Sequence, residues 1–422
     1  MLVILSLVTF AAYGQEWGFV GGLGNEADTV ATSGHGIAVD PDGNIWYSPY
    51  YNSETVMIDT GSGTVDYEDG IRAVYVFTPD GLQTSFSPIT TITVDGVTDT
   101  LQNSQKGLRA NPDGNIAHGS YDTMYLINYL TGEGMKKVTP IADQSLTAPA
   151  FTSEGEMVVS YVFPGMGIDV YDSDWGYLGK YITAEMDNAY SRTVEVAKDG
   201  SAIFYTAYSG NRGFVRFNSS SGDIYGDFTA SADTFALGLQ NESVAWQPGT
   251  GYLWCGSKGT PGWTANAHYA FDPNDNFAVV DSILLPTLAV GDYPRGIAFS
   301  NDGNTAYLTC FSGAAGILKV VKGATGVWEH EGTFIAGYAL KANYPNPFNP
   351  STTLDVVLKE AGVADLRVYD MRGAEVAVLN SGYLSAGEHS FTFTAQNLAT
   401  GVYIARFNVN GAMYTQTMTL VK

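Results

Sequence analysis

The chain has 422 residues and a formal net charge of −23. This length allows two or three ordinary domains, or one large all-β body with a smaller companion, and we favour the second. Six of the 43 acidic and six of the 20 basic residues lie from Gly337 onward, which leaves 37 acidic and 14 basic residues in the body. Such a body repels phosphate backbones, so we expect no nucleic-acid partner. The excess favours solubility outside the cell or, alternatively, cation binding.

The first predicted element is an export signal. An apolar run from Leu2 to Ala12 leads into Ala12-Tyr13-Gly14, with small residues at the two positions that a signal peptidase reads. We predict cleavage before Gln15, so that residues 1–14 are a signal peptide, although no Lys or Arg precedes the run. The run is too short to span a bilayer, and no other segment reaches about 18 apolar residues, which predicts no transmembrane segment.

One sequence pattern occurs six times along the body. Each copy is an alternating strand, a turn rich in Asp, Asn, Pro or Gly, and a second strand, which predicts a hairpin whose turn glycine has positive φ. The copies are GIAVDPDGNIWYS at Gly36, GLRANPDGNIAHGS at Gly107, APAFTSEGEMVVS at Ala148, TVEVAKDGSAIFYT at Thr193, SVAWQPGTGYLWCG at Ser243 and GIAFSNDGNTAYLT at Gly296. Most are followed by a third predicted strand, at Met124–Ile127, Gly167–Tyr171, Gly213–Phe217 and Gly316–Val320.

The spacing of these hairpins predicts a six-bladed β-propeller. The turn glycines are Gly43, Gly114, Gly155, Gly200, Gly251 and Gly303, at intervals of 71, 41, 45, 51 and 52 residues. Four-stranded blades repeat at about this interval, with one long insertion in the first. The repeats resemble those of NHL and YVTN-type propellers, a resemblance that covers roughly residues 30–335 and implies the fold alone, since such propellers include binders, scaffolds, hydrolases and lyases. We expect residues 15–30 or Val327–Phe334 to complete the last blade.

Carboxylates recur beside the hairpin turns, at Asp40, Asp42, Asp113, Glu154, Asp199 and Asp302. A Ca²⁺ site needs six or more oxygens converging on one point, whereas each turn offers one or two. Asp and Asn also bond their own backbone in turns, so we interpret these residues as turn formers. The sequence therefore predicts no metal site and no cofactor.

The residue just before each innermost strand predicts a ring around the mouth of the central channel. These residues are His35, Lys106, Thr147, Arg192, Glu242 and Arg295. Further into the strands, Arg109 and Glu195 replace the alanines of the other repeats. A charge beside the axis needs a partner, water or a ligand. The cations are expected either to bind an anionic small molecule or a glycan, or to neutralise neighbouring carboxylates.

The loops after the second strands are predicted to open on the same face. They carry His118, Tyr50, Tyr51, Tyr121, Tyr208, Arg212 and Trp263. His35 and His118 together suggest a general acid/base or metal pair, resembling propeller lyases with histidines at the channel mouth. This use requires His35, His118 and Arg109 to converge within about 4–6 Å of a shared point. Otherwise the chain has no GxSxG, HExxH or phosphate-loop motif.

Cys255 and Cys310 are the two cysteines, and neither belongs to a CxxC motif. Each follows the second strand of its own repeat, in neighbouring repeats. In an oxidising compartment they form either a disulfide or two buried thiols.

The last 80 or so residues predict a small sandwich of alternating strands. The expected strands are Thr353–Leu358, Ala364–Tyr369, Glu375–Leu379, His389–Thr394, Val402–Asn408 and Tyr414–Leu420. The opening Asn-Tyr-Pro-Asn-Pro-Phe-Asn-Pro from Asn343, the Asp370-Met371-Arg372-Gly373 turn and Leu398-Ala399-Thr400-Gly401-Val402-Tyr403 resemble the type A C-terminal sorting domain of the type IX secretion system. The resemblance implies export to the cell surface or medium of a Gram-negative bacterium, with the secretion machinery as partner of residues 337–422.

These observations predict an all-β protein with a six-bladed β-propeller at residues 15–336 and a small Ig-like β-sandwich at residues 337–422. The expected function is binding or scaffolding outside the cell, with a ligand that the sequence leaves open. The alternative is an extracellular propeller enzyme, a lyase or hydrolase acting on a glycan, peptide or lactone. The candidate ligand-binding residues are His35, Lys106, Arg109, His118, Arg192 and Arg295.

Overall fold

The computed structural model divides the chain into two compact units, Met1–Thr325 and Gly326–Lys422. It describes residues 17–23, 34–50, 57–59, 64–66, 71–102, 105–183, 190–209, 213–228, 232–236, 238–239, 243–257, 263, 267–284, 294–310, 317–323, 338–341, 343–358, 362–372, 374–385, 387–409 and 412–422. The predicted signal peptide and the segment Val327–Phe334 lie outside these ranges. All the regular elements in them are β-strands.

The first unit contains 27 described strands. In chain order they are β1 (Trp17–Leu23), β2 (Gly34–Val39), β3 (Ile45–Pro49), β4 (Met57–Asp59), β5 (Thr64–Asp66), β6 (Tyr75–Phe77), β7 (Thr91–Val94), β8 (Val97–Thr100), β9 (Gln105–Ala110), β10 (Ile116–Ser120), β11 (Thr123–Ile127), β12 (Gly134–Val138), β13 (Ala150–Phe151), β14 (Met157–Ser160), β15 (Ile168–Tyr171), β16 (Tyr177–Ile182), β17 (Val194–Val196), β18 (Ala202–Thr206), β19 (Phe214–Asn218), β20 (Ala232–Phe235), β21 (Val244–Trp246), β22 (Leu253–Ser257), β23 (Ala267–Asp272), β24 (Ala278–Leu284), β25 (Pro294–Phe299), β26 (Thr305–Cys310) and β27 (Ile317–Lys322).

These strands form antiparallel sheets that follow the sequence repeats. The four-stranded sheets are β9 to β12, β13 to β16, β17 to β20, β21 to β24, and β25-β26-β27-β1, while β2-β3-β6 is three-stranded. Two further hairpins, β4-β5 and β7-β8, belong to the long insertion after the first repeat. Each sheet thus begins with one of the six predicted hairpins.

The turn glycines have the positive φ that the hairpins require. The values at Gly43, Gly114, Gly155, Gly200, Gly251 and Gly303 lie between 71° and 95°. In the first turn the buried Asp40 carboxylate accepts hydrogen bonds from the backbone N–H of Asp42 and Asn44 and from Trp46 Nε1, at 2.8–3.0 Å. This carboxylate serves the turn, as predicted, because its oxygens are taken by the hairpin.

The first strand of each sheet lies beside the first strand of the next sheet in chain order. The first strand of the last sheet lies beside that of the first sheet. The contacts join β2 to β9, β13 to β17, β17 to β21, β21 to β25, and β25 back to β2. A Cβ placed on Gly107 of β9 would lie 2.3 Å from the Ala148 Cβ, two residues before β13, and one on Gly36 would lie 2.9 Å from the Leu108 nitrogen. Backbones therefore approach one another closely, and glycine is required at these two places.

The core of this unit is a series of buried clusters between neighbouring sheets. Trp46 of β3 clusters with Leu108 and Ile116 of the next sheet, and Val158 of β14 with Val194 of β17. Each sheet is thus covered on both faces by apolar side chains, which explains why its inner strands are almost fully buried.

Strand β1 completes the last sheet of this circle. β1 pairs antiparallel with β27, with Trp17 opposite Lys322 and Leu23 opposite Ile317. The expectation that residues near the N-terminus complete the last sheet is therefore confirmed. Trp17 is buried, donates to Asp281 Oδ2 at 2.9 Å, and contacts the ring of Trp254 at 5.6 Å.

The second unit has seven described strands: β28 (Tyr338–Leu340), β29 (Ser351–Leu358), β30 (Gly362–Asp370), β31 (Glu375–Leu384), β32 (Gly387–Thr394), β33 (Gly401–Val409) and β34 (Ala412–Leu420). They form two antiparallel sheets, β28-β29-β32 and β31-β30-β33-β34. Leu354, Leu366, Phe393 and Phe407 belong to one buried cluster shared by the sheets. All six strands expected from the sequence are present, and β28 is added to them.

Candidate functional site

The first strands of the first unit surround a narrow cavity, which we call the central cavity. All six repeats contribute to its wall, through residues of β2, β9, β21 and β25 and through Ala148 and Arg192 before β13 and β17. Its volume is about 20 Å³, which is enough for one water molecule or a group of similar size. Four predicted ligand-binding residues line it: His35, Arg109, Arg192 and Arg295.

Arg109 reaches from β9 to three other repeats. Its Nη2 lies 3.3 Å from Glu195 Oε2 on β17 and donates to the Val244 carbonyl of β21 at 2.9 Å. Its Nε donates to the Pro149 carbonyl at 3.3 Å. The Glu195 side chain is only 2% exposed. The two charges that replace alanine in the repeats therefore neutralise each other inside the cavity, which is the second of the two roles expected for the cations.

His35 and Arg295 lie together at the wall of the cavity, where the last repeat meets the first. Arg295 Nη1 is 3.5 Å from His35 Nε2, and both residues are buried. The His35 ring lies 5.7 Å from the ring of Tyr50, which follows β3. These contacts place an imidazole and a guanidinium side by side, with a phenol beside them.

Arg192 and Arg72 add two more cations to this region. The Arg192 guanidinium lies 4.3 Å from the ring centre of Tyr208, a cation–π contact. Burial raises the pKa of Tyr208, while the charges of Arg192 and Arg295 oppose the rise, so these groups act on one another electrostatically. Burial likewise lowers the pKa of Arg72, and Tyr50 opposes that shift. Sequence reasoning missed Arg72 because it lies in the insertion, outside the aligned repeats.

The predicted position of His118 is wrong. We expected it in a loop on the rim, but β10 continues through Ser120, so that His118 lies inside the strand opposite Leu108. Its side chain is fully buried, and burial lowers its pKa to about 3. It does not belong to the lining of the central cavity. His35, His118 and Arg109 therefore do not meet at one point in the cavity, as acid–base catalysis by these three residues would require.

The other residues that the sequence placed at the ring or rim do not belong to the described lining of the central cavity. Thr147 is buried, with its hydroxyl 2.6 Å from that of Ser160. Tyr121 donates to the Asp143 carbonyl at 3.1 Å, and the Trp263 ring lies 5.1 Å from that of Tyr269. Lys106 belongs to β9, but its side chain lies outside the described part of the structure, as do Tyr51, Arg212 and Glu242.

The described residues show neither a metal-ligand cluster nor a disulfide. Among the described residues no group of three or more His, Cys, Asp or Glu side chains has the arrangement of a metal site. Cys255 and Cys310 are both buried free thiols, so of the two alternatives the disulfide is wrong. Burial raises the pKa of the Cys255 thiol, which makes it a poor nucleophile.

The fold and site define an all-β protein built of antiparallel sheets, with a small cationic cavity where the first strands meet. Residues 342–421 match the family model of the secretion system C-terminal sorting domain. The protein is therefore a substrate of type IX secretion that reaches the cell surface or the extracellular medium of a Gram-negative bacterium. In the described residues no helix is long and apolar enough to cross a membrane. A comparison with curated proteins finds no match.

Solved structures similar to this chain come from several bacteria. One is regucalcin from Agrobacterium tumefaciens, described as a calcium-binding protein, with 14% identity, a TM-score of 0.48, and coverage of 72% of this chain and 93% of that one. Another is the extracellular domain of a one component system from B. thetaiotaomicron, with 10% identity, a TM-score of 0.41, and coverage of 93% and 56%. A third is PorZ, a surface component of the type-IX secretion system of Porphyromonas gingivalis, with 13% identity, a TM-score of 0.38, and coverage of 92% and 51%.

Proposed function

We propose that the protein is an exported binding module whose central cavity takes the anionic group of a ligand. In this proposal the six sheets of the first unit are the blades of a β-propeller of NHL or YVTN type, at residues 15–336. The second unit is an Ig-like sorting sandwich at residues 337–422, which the secretion machinery recognises. Residues 1–14 are the signal peptide.

The observation that carries the proposal is the chemistry of the cavity wall. His35, Arg192 and Arg295 line one small space in a body that is otherwise strongly acidic. Arg109 pairs with Glu195, and we assign it to holding the cavity together. We assign Arg192, Arg295 and His35 to the ligand because all three line the same small space. A guanidinium binds a carboxylate through charge-assisted hydrogen bonds, which gain strength in a buried setting. Binding is favoured over catalysis because, among the described residues that line the cavity, His35 is the one side chain of a type that commonly transfers protons.

The proposal is tested by calorimetric titration of the secreted protein with galacturonate, and with galactose as the neutral counterpart. Of the two sugars, we expect galacturonate to bind and galactose not to bind. Arg192→Ala and Arg295→Ala should each weaken its binding about 10- to 150-fold, the equivalent of one charge-assisted hydrogen bond. Arg216→Ala is the matched control, because this arginine is ion-paired with Asp233 at 3.0 Å and is not part of the cavity wall.

Thermal unfolding of each variant separates folding from binding. Arg295 is buried, whereas Arg192 is half-buried, so Arg192→Ala provides a second measurement if the first variant unfolds. Folded Arg192 and Arg295 variants that bind galacturonate as the unmodified protein does would disprove the proposed site.

A further inference from the structure

We infer that the ligand is an acidic oligosaccharide, whose carboxylate enters the central cavity while its following sugar rings pack on a row of aromatic side chains beside it. This inference rests on the proposed function, since it assumes that the cavity binds an anionic group. We call Phe163, Tyr190 and Tyr208 the aromatic row.

The size of the cavity sets the first limit on the ligand. A volume of about 20 Å³ accommodates a group of one or a few heavy atoms, whereas pockets for whole small molecules measure about 300–1,000 Å³. A sugar ring is therefore too large to enter, and only a projecting group such as a carboxylate fits. The rest of the ligand must lie outside the cavity, on the surface beside it.

That surface carries the aromatic row, which begins at a cation of the cavity wall. The Tyr208 ring lies 4.3 Å from the Arg192 guanidinium, the Tyr190 ring 5.9 Å from that of Tyr208, and the Phe163 ring 5.8 Å from that of Tyr190. Exposure to solvent increases along the row. Tyr208 is half-buried, Tyr190 is 40% exposed and Phe163 is 49% exposed. The row thus leads from the cavity wall to open solvent.

Backbone hydrogen bonds hold the row in place. Tyr208 N–H donates to the Tyr190 carbonyl at 3.0 Å, and Tyr190 N–H donates to the Ser209 hydroxyl at 3.2 Å. Ser191 N–H donates to the Val162 carbonyl at 3.1 Å, which ties the segment of Tyr190 to that of Phe163. The rings are therefore fixed before a ligand arrives, which lowers the entropic cost of binding.

The chemistry of the row favours a sugar over a peptide. The C–H bonds on one face of a pyranose carry partial positive charge and pack against the negative face of an aromatic ring. An extended peptide would instead be read through main-chain hydrogen bonds to a strand edge. Phe163 and Tyr190 lie in connecting segments, where the Val162 N–H and carbonyl and the Ser191 N–H are already bonded to other backbone groups.

The test uses calorimetric titration of the full secreted chain with galacturonate, tetragalacturonate and methyl-esterified tetragalacturonate. The variants are Phe163→Ala and Tyr190→Ala. Tyr225→Ala is the matched control, because this tyrosine is 61% exposed and bonds to Glu156, outside both the row and the cavity wall. Thermal unfolding verifies that each variant is folded, and Phe163, as the most exposed ring of the row, supplies a readout if Tyr190→Ala is unstable.

We expect tetragalacturonate to bind more tightly than galacturonate, and the esterified tetramer to bind more weakly than either. Phe163→Ala and Tyr190→Ala should each weaken tetramer binding about two- to tenfold and leave galacturonate binding unchanged. Unchanged tetramer binding in folded row variants would overturn the inference while the proposed function stands, provided that galacturonate still requires Arg295. Equally tight binding of a tetrapeptide with a free C-terminal carboxylate would also overturn it. If neither acidic probe binds, the proposed function fails as well.

Discussion

Arg109 and Glu195 face each other across the centre of the first unit, and their energetics differ from those of a surface ion pair. Glu195 is almost completely buried, so its charge is tolerable only because Arg109 lies beside it. A buried pair of this kind adds little net stability compared with apolar residues of similar size, yet removal of one partner is costly. The pair therefore maintains the cavity, and we expect it to respond to mutation as one unit.

Arg109→Met should destabilise the protein by about 3–5 kcal/mol, because it leaves the Glu195 carboxylate buried without a counter-charge. The double variant Arg109→Met/Glu195→Gln should recover most of this loss. Urea unfolding of the two single variants and the double variant measures the coupling between the residues. Additive losses would contradict the pairing, and weakened galacturonate binding in a folded Arg109→Met protein would return this residue to the ligand site.

His268 predicts a loss of stability in acid. Its imidazole on β23 is fully buried, and burial lowers its pKa to about 3. The unfolded chain takes up a proton near the ordinary pKa of about 6.5, whereas the folded chain does not until about pH 3. Stability should therefore be complete above pH 6.5 and should fall between about pH 6.5 and 3.

His268→Leu should flatten this decline, because the variant has no group to protonate there. The measurement is the urea midpoint as a function of pH for the variant and for the unmodified protein. His389→Leu, at a half-buried position in the second unit, is the control and should retain the decline. A His268→Leu protein with the original pH dependence would contradict the assignment. His118 is expected to add a parallel contribution, since burial also lowers its pKa to about 3.

At the scale of elements, β1 determines whether the circle of sheets is closed. It supplies the fourth strand of the β25-β26-β27 sheet and covers the edge of β27. Its Trp17 also reaches the preceding sheet, through the hydrogen bond to Asp281 on β24 and the ring contact with Trp254 on β22. One side chain thus joins two neighbouring sheets.

Trp17→Ala should destabilise the whole first unit by about 3–5 kcal/mol, as expected for loss of a large buried aromatic side chain. Because the sheets support one another around the circle, we expect one cooperative transition shifted to lower temperature. Differential scanning calorimetry tests this, with Trp263→Ala as the control, since Trp263 is only half-buried. A separate early transition, with the main one unmoved, would show that closure by β1 is local.

The elements were predictable from the sequence because their signals are local. An alternating run and a turn glycine specify a hairpin within about 14 residues, which is why the hairpins at Gly43 and Gly303 and the strands of the second unit match expectation. The site is less predictable. The Arg109–Glu195 pair joins two repeats that are separated by a third. Arg72 lies in an insertion without an aligned counterpart. Phe163 follows β14 whereas Tyr190 precedes β17, so the two belong to different repeats. Such contacts depend on the arrangement of the sheets rather than on neighbouring residues.

At the scale of the whole molecule, charge is distributed unequally between the body and the last 86 residues. The acidic excess belongs entirely to the body, while the last 86 residues carry equal numbers of acidic and basic residues. In our proposal the acidic body repels those carboxylates of an oligosaccharide that lie outside the cavity, while the cations of the cavity wall attract, at short range, the one that enters it. We therefore expect the binding of an acidic ligand to depend on where its charges lie.

The pairing of β1 with β27 also has a consequence for how the protein is made. Residues 17 and 322 are partners, so β1 is synthesised about 300 residues before the strand with which it pairs. Contacts of such long sequence separation form slowly, and until they form, the edges of two strands remain open to other chains. In a polypeptide that stops before Ile317, β1 lacks the strand with which it pairs, and we expect such a chain to be prone to aggregation or proteolysis.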